Sequence, residues 1–156
     1  MYRYLKFLLM MVTITAFALP VFADSGMVRL KSEFDVPTTA ERLVSMLNKK
    51  GMKVFIRVDH AAGAKSAGLE LRPTELVIFG NPKVGTPLMQ CSQSVALDLP
   101  QKALIWKDEQ GDVWLGYNAP RYIADRHAVQ GCEKSIQKIE KALANFARGA
   151  TSKRND

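Results

Sequence analysis

Five short apolar segments, most of them alternating with polar residues and parted by Gly- or Pro-bearing turns, constrain this chain more than any other feature. Val28, Leu30, Ser32 and Phe34 alternate with Arg29, Lys31, Glu33 and Asp35. That is the period of a strand with one wet face. Met52, Val54, Ile56 and Val58 alternate in the same way with Lys53, Phe55, Arg57 and Asp59. Leu76 to Phe79 is a continuous apolar run, suited to a central strand covered on both sides. Residues 103–108 and 112–117 flank Gly111, a hairpin signal. If Asp108 faces Asp112 across that turn, Trp106 faces Trp114. Tight turns of this kind join antiparallel neighbours, whereas parallel strands need long crossovers.

Helical signals fill the remaining intervals. Pro37 ends the first strand, and Thr38-Thr39-Ala40-Glu41 has the form of a capping box. Ala40, Leu43, Val44 and Leu47 then form one stripe, with Lys49, Lys50 and Gly51 suited to the helix end. His60 to Gly68 is a run of small residues that fits either a loop or one or two helical turns. Gly80 to Gly85 reads as a turn, and Thr86-Pro87 as the N-cap and first residue of a helix. Leu88, Cys91, Ser92 and Val95 would share its face, and Asp98-Leu99-Pro100 would end it. Pro120 to Arg126 reads as a short helix. After Gly131, the seam Cys132, Ile136, Ile139, Leu143 and Phe146 predicts a final one. The expected order is β-α-β-β-α-β-β-α. This is an α+β domain, with a mainly antiparallel sheet of about five strands and helices on one face.

Residues 1–23 read as a removable secretory signal peptide. Arg3 and Lys6 precede an apolar run over Leu8 to Leu19, Pro20 breaks it, and Val21-Phe22-Ala23 offers a cleavage site. The run is short for a bilayer span, which needs about 20 apolar residues. A periplasmic or secreted location follows, with no transmembrane span after cleavage. One domain is expected over 24–150, with 151–156 as a solvated tail. Hydrophobic residues at 47% and charged residues at 24% exclude a disordered chain. The formal net charge of +7 is spread over scattered lysines without an arginine-rich run, so nucleic acid is not an expected partner.

The only two cysteines, Cys91 and Cys132, are too few for a disulfide scaffold or a four-thiolate zinc site. In an oxidising compartment they either pair across two helices or sit as buried small hydrophobes. His60 follows Asp59, and His127 follows Arg126. Neither has a second histidine at clamp spacing. His60, His127, Cys91 and Met89 have the ligand chemistry for copper or haem only if folding assembles them; no metal or cofactor is assigned. No serine sits in a Gly-x-Ser-x-Gly context. Residues 80–87 lack the Gly-Lys-Ser/Thr ending of a phosphate loop, and Pro82 and Pro87 remove donors such a loop uses.

Several ordered motifs resemble the family called domain of unknown function 302. They are Asp59-His60-Ala61-Ala62-Gly63-Ala64, Phe79-Gly80-Asn81-Pro82-Lys83, Gly85-Thr86-Pro87-Leu88-Met89, Asp98-Leu99-Pro100, Trp106, Val113 to Pro120, and Arg126-His127. The resemblance spans about residues 28–147 and implies a β-α-β(4)-α fold with a helix inserted among the later strands. It implies no activity. One departure is Ala119, where the family often has Asp in an Asn-Asp-Pro turn.

The family-like polar residues His60, Asn81, Thr86, Asp98, Asn118, Arg126 and His127 fall at strand ends and turns, where sites on rigid scaffolds gather. Caps and turns account for several of them; His60 and His127 are the least explained that way. Three functions compete. The first is a module binding a small molecule or an envelope partner in a pocket between sheet and helices, with His60, His127 and Asn118 at its mouth. The second is a hydrolase or isomerase with His60 or His127 as general base near Asp98. The third is a structural domain that forms homodimers through the sheet and its tryptophan hairpin.

Overall fold

A computed structural model of the protein describes residues 26–153; the expected leader and residues 154–156 lie outside them. Strand β1 (Met27–Ser32) leads into helix α1 (Val36–Lys49), then β2 (Lys53–Asp59), α2 (His60–Ser66), β3 (Thr74–Gly80) and α3 (Pro82–Cys91). A 3-10 turn (Gln93–Leu97) follows, then β4 (Gln101–Lys107), β5 (Val113–Asn118), α4 (Pro120–Arg126) and α5 (Glu133–Thr151). All strand pairs are antiparallel in the order β1-β5-β4-β3-β2. The expected α+β class and antiparallel sheet are present. Helix α4 is the short helix expected over Pro120 to Arg126, and the small residues after Asp59, open to either a loop or helical turns, form helix α2, which Asp59 caps through Ala62 N–H at 2.9 Å.

One sheet face holds the core. Val77, Phe79, Ala103, Ile105, Leu115 and Tyr117 are buried there. They meet Ala40, Leu43 and Leu47 of α1 and Ile136, Ile139, Leu143 and Phe146 of α5. Full burial of each Val, Leu, Ile or Phe among them contributes about 1.5–3 kcal/mol. The opposite face carries Ile56, Val58, Leu76, Ile78, Leu104 and the cross-strand pair Trp106 and Trp114, all only partly covered or exposed. Gly116 lies beneath Trp106: an added Cβ would sit 3.0 Å from Trp106 Cζ3.

Local physics moved several element boundaries. Helix α1 begins at Val36 rather than after Thr38, because Asp35 caps it: Thr38 N–H donates to Asp35 Oδ1 at 2.8 Å. Thr39 is instead buried, its hydroxyl bonded to the Asp35 carbonyl and to Ser32 Oγ, each at 2.7 Å. In β2 a bulge between Val54 and Ile56 breaks the expected alternation. Val54 stays opposite Phe79, while Ile56 pairs with Ile78 on the other face. Helix α5 runs one residue past the expected domain end, and Thr151 is buried. Arg42 donates to the Gly149, Ala150 and Ser152 carbonyls, and Lys153 N–H to Glu33 Oε2, so the described part of the expected tail is tied down.

Candidate functional site

Five of the seven polar residues singled out in the sequence separate into two groups near the 3-10 turn. Two of them, Asn81 and Thr86, line an apolar cavity of about 360 Å³, within the range of about 300–1,000 Å³ typical of small-molecule sites. Its walls come from the end of β3, α3, the 3-10 turn, the start of β4 and one face of α5, including Leu143 and Phe146. The β2 bulge supplies Phe55, whose side chain turns to the cavity wall; re-aiming a side chain is a common consequence of a bulge. Gly80 keeps the backbone close to Phe55 and Pro100, with an added Cβ falling 3.3 and 3.4 Å from them.

Thr86 does not start a helix. Helix α3 begins at Pro82, with Asn81 as N-cap: Lys83 N–H donates to Asn81 Oδ1 at 2.9 Å, and Asn81 Nδ2 donates to the Gly51 carbonyl at 2.9 Å. Thr86 and Pro87 are therefore interior helix residues, and Asn81 serves as a structural pin on the cavity rim. The helix also ends earlier than expected, at Cys91, and Ser92 lies outside it.

Among polar groups facing the cavity, Gln101 stands apart. It is 8% exposed and lies in β4 opposite Phe79. No hydrogen bond engages its side-chain amide among the described residues, and no fully buried polar side-chain atom there lacks a partner. The amide therefore opens onto the cavity it lines. Lys138 of α5 lines the same cavity from an exposed position, also without a hydrogen-bond or ion-pair partner among the described residues. Sequence reasoning passed over both. Gln101 had a legible signal: it shares parity with the buried Ala103 and Ile105 on β4 and opens that core-facing row with a polar side chain.

The second group forms a relay. His127, the C-cap of α4, has a side chain only 7% exposed. Its Nε2 lies 2.6 Å from Asp98 Oδ2 and its Nδ1 lies 3.0 Å from Ser94 Oγ. Arg126 reaches the other Asp98 oxygen at 3.5 Å. Ser92 Oγ donates to the His127 carbonyl at 3.0 Å. Lys102 Nζ donates to the Asp98 and Pro100 carbonyls at 2.9 and 3.1 Å, fixing the backbone that presents the carboxylate. Asp98, Arg126 and His127 are thus brought together, joined by Ser94, which the sequence did not single out.

His60 and Asn118 belong to neither group. His60 opens α2 in an exposed position with no side-chain hydrogen bond among the described residues. Asn118 ends β5 opposite Met27, exposed. The mouth of the cavity is therefore not formed by His60, His127 and Asn118. Nor do the copper or haem ligands assemble, since Cys91 is bonded to Cys132 with Cα atoms 6.3 Å apart. That bond joins the exposed last residue of α3 to the N-cap of α5, rather than two residues on buried helix faces.

Comparison with known proteins agrees with the architecture. The crystal structure of an uncharacterized conserved protein DUF302 from Bacillus stearothermophilus superposes with a TM-score of 0.73 at 19% identity, covering 81% of this chain and 98% of that one. This likeness shows the fold. A protein of Brucella suis biovar 1 named fluoride-specific ion channel FluC 1 is 53% identical over 106 residues, which cover 68% of this chain and 42% of that protein. FluC 2 of Brucella melitensis biotype 1 is also 53% identical over 106 residues, 39% of its length. The chain thus spans about two-fifths of these curated relatives, and no helix among the described residues is long and apolar enough to cross a membrane. The domain of unknown function DUF302 matches residues 28–146, and the chain belongs to that family.

Proposed function

We propose that this domain is a binding module whose cavity beside α3 and α5 takes a small, largely apolar molecule carrying one polar or anionic group. The carrying observation is Gln101. Its amide has no hydrogen-bond partner among the described residues and opens onto an otherwise apolar cavity, a position that suits a ligand group able to complete it. Lys138 at the rim favours an anionic head. The channel activity named for the Brucella relatives is not part of this reading, because this chain corresponds to only two-fifths of their length.

Decanoate and decanol share a chain and differ in the head group, so thermal unfolding with each tests the reading. Decanoate is expected to raise Tm in a concentration-dependent way, as any ligand of the native state does, and decanol to raise it less. Gln101→Leu is expected to abolish the shift while leaving the protein folded. If neither compound moves Tm and titration calorimetry shows no heat, the reading fails.

We further propose that the domain acts outside the cytoplasm, in the periplasm or beyond. The leader-like segment 1–23 supports this, as does the Cys91–Cys132 pair, since such bonds persist in oxidising compartments. The mature protein is expected to begin at Asp24, which intact-mass measurement of secreted material checks. A mass retaining Met1 to Ala23 would overturn it.

A further inference from the structure

We propose that Ser94 is a nucleophile, and that Ser94, His127 and Asp98 form an acyl-transfer centre that hydrolyses small carboxylic esters. The inference is independent of the cavity. It rests on two distances and three exposures. Ser94 Oγ is 3.0 Å from His127 Nδ1, and His127 Nε2 is 2.6 Å from Asp98 Oδ2. Nucleophile, base and orienting carboxylate therefore stand within the reach that activation requires. The imidazole and the carboxylate are shielded, with side chains 7% and 14% exposed, while Ser94 is exposed to an incoming substrate.

The hydrogen positions follow from the partners. A carboxylate only accepts, so in the neutral imidazole Nε2 carries the proton shared with Asp98 and Nδ1 is left as an acceptor. Ser94 has one proton and two neighbouring acceptors, Nδ1 at 3.0 Å and Ser92 Oγ at 3.2 Å. The nearer is the imidazole. Arg126 on the second Asp98 oxygen and Lys102 on its carbonyl hold the carboxylate in place. A histidine serving only to end α4 would need its backbone contacts alone. Here both ring nitrogens are engaged, and the outer partner is an exposed hydroxyl. The ring nitrogens are used in the opposite sense from the familiar serine protease triad, but such centres are recognised by geometry and roles.

In the reaction, Ser94 Oγ forms a bond to the ester carbonyl carbon as its proton passes to His127 Nδ1. The tetrahedral adduct collapses, the bond to the alcohol oxygen breaks, and the Nδ1 proton leaves with the alcohol. Water then attacks the acyl-Ser94 carbon and gives its proton to Nδ1. The bond to Ser94 breaks, Oγ recovers that proton, and the carboxylic acid departs. Ester and water become acid and alcohol, with no oxidant or reductant consumed. Because Ser94 lies on an open surface, short acyl esters are the expected class.

A fluorophosphonate probe followed by peptide mapping tests the assignment directly. A single phosphonate adduct on Ser94 is expected, absent in Ser94→Ala. Hydrolysis of p-nitrophenyl acetate should fall on the order of 10²-fold in Asp98→Asn, the size of a general-base contribution. Ser94→Ala removes an exposed hydroxyl, so an unchanged Tm would exclude misfolding as the cause of lost labelling. No adduct at Ser94, or labelling and turnover unaltered in Asp98→Asn, would overturn the proposal. Decanoate binding in the cavity has no bearing on either outcome.

Discussion

Ala119 shows how one side chain changes an element without changing the fold. It occupies the N-cap of α4 with extended backbone geometry, φ −60° and ψ 130°, and contributes no side-chain hydrogen bond. Its own N–H donates to the Gly26 carbonyl at 2.7 Å, which holds the cap residue in place. The first-turn donors of α4 thus lack the acceptor that Asp would bring. Ala119→Asp is expected to stabilise the protein by about 1 kcal/mol, the usual worth of such a cap. Urea unfolding checks this; a variant no more stable than the parent would show that the α4 donors already have adequate partners. The departure was visible in the sequence against the family pattern. The resulting uncapped helix was not, because a cap is defined by backbone angles.

At the scale of elements, the β4–β5 hairpin was the most legible part of the chain. Asp108 N–H donates to the Asp112 carbonyl at 2.8 Å, and Trp106 pairs with Trp114 as the two-residue arithmetic around Gly111 requires. The sequence did not show that Asp108 also binds the tryptophan: Trp114 Nε1 donates to Asp108 Oδ2 at 2.7 Å. That hydrogen bond is the main reason the Asp108 carboxyl titrates below its ordinary value of 3.8. Glu133 is likewise held below 4.5 by Arg121. A carboxyl with a lower pKa folded than unfolded binds fewer protons when folded, so its contribution is present above the unfolded value and lost as pH falls through the folded one. Stability is therefore expected to decline below about pH 4. Asp108→Asn should flatten part of that decline, as read from Tm across pH 2–6 relative to the parent. An identical slope would assign the acid loss to other carboxyls.

Helix α3 was misplaced for an instructive reason. Asn81-Pro82 and Thr86-Pro87 carry the same local signature of a cap followed by proline. Asn81 prevails through its second bond, to the Gly51 carbonyl thirty residues away, and a local pattern does not contain that partner. Similarly, the bulge at Phe55 depends on what β3 and the cavity offer to β2, so alternation alone predicted an unbroken strand.

For the whole molecule, the Cys91–Cys132 bond ties α3 to α5 across the cavity-bearing side of the fold. Closing a loop of this length constrains the unfolded chain, typically by about 2–4 kcal/mol. Reduction, or Cys91→Ser with Cys132→Ser, is expected to lower stability by about that amount in urea unfolding, with the sheet retained. Because the bond fixes two walls of the cavity, reduction should also weaken any decanoate-induced rise in Tm.

Period-two and period-3.6 patterns, with turns set by Gly and Pro, determined that this protein is an antiparallel sheet backed by helices. Those patterns act between neighbours a few residues apart, and such forces are local. The leader-like segment and the cysteine count likewise needed only the order and number of residues along the chain. Only the tertiary structure decided which polar residues meet. Ser94, Asp98 and His127 come from a 3-10 turn and a helix end brought together by packing. Gln101 faces a void whose walls come from elements spread over Met52 to Phe146. Such meetings depend on how whole elements pack into three dimensions, and no spacing along one chain encodes the distance between two of its surfaces.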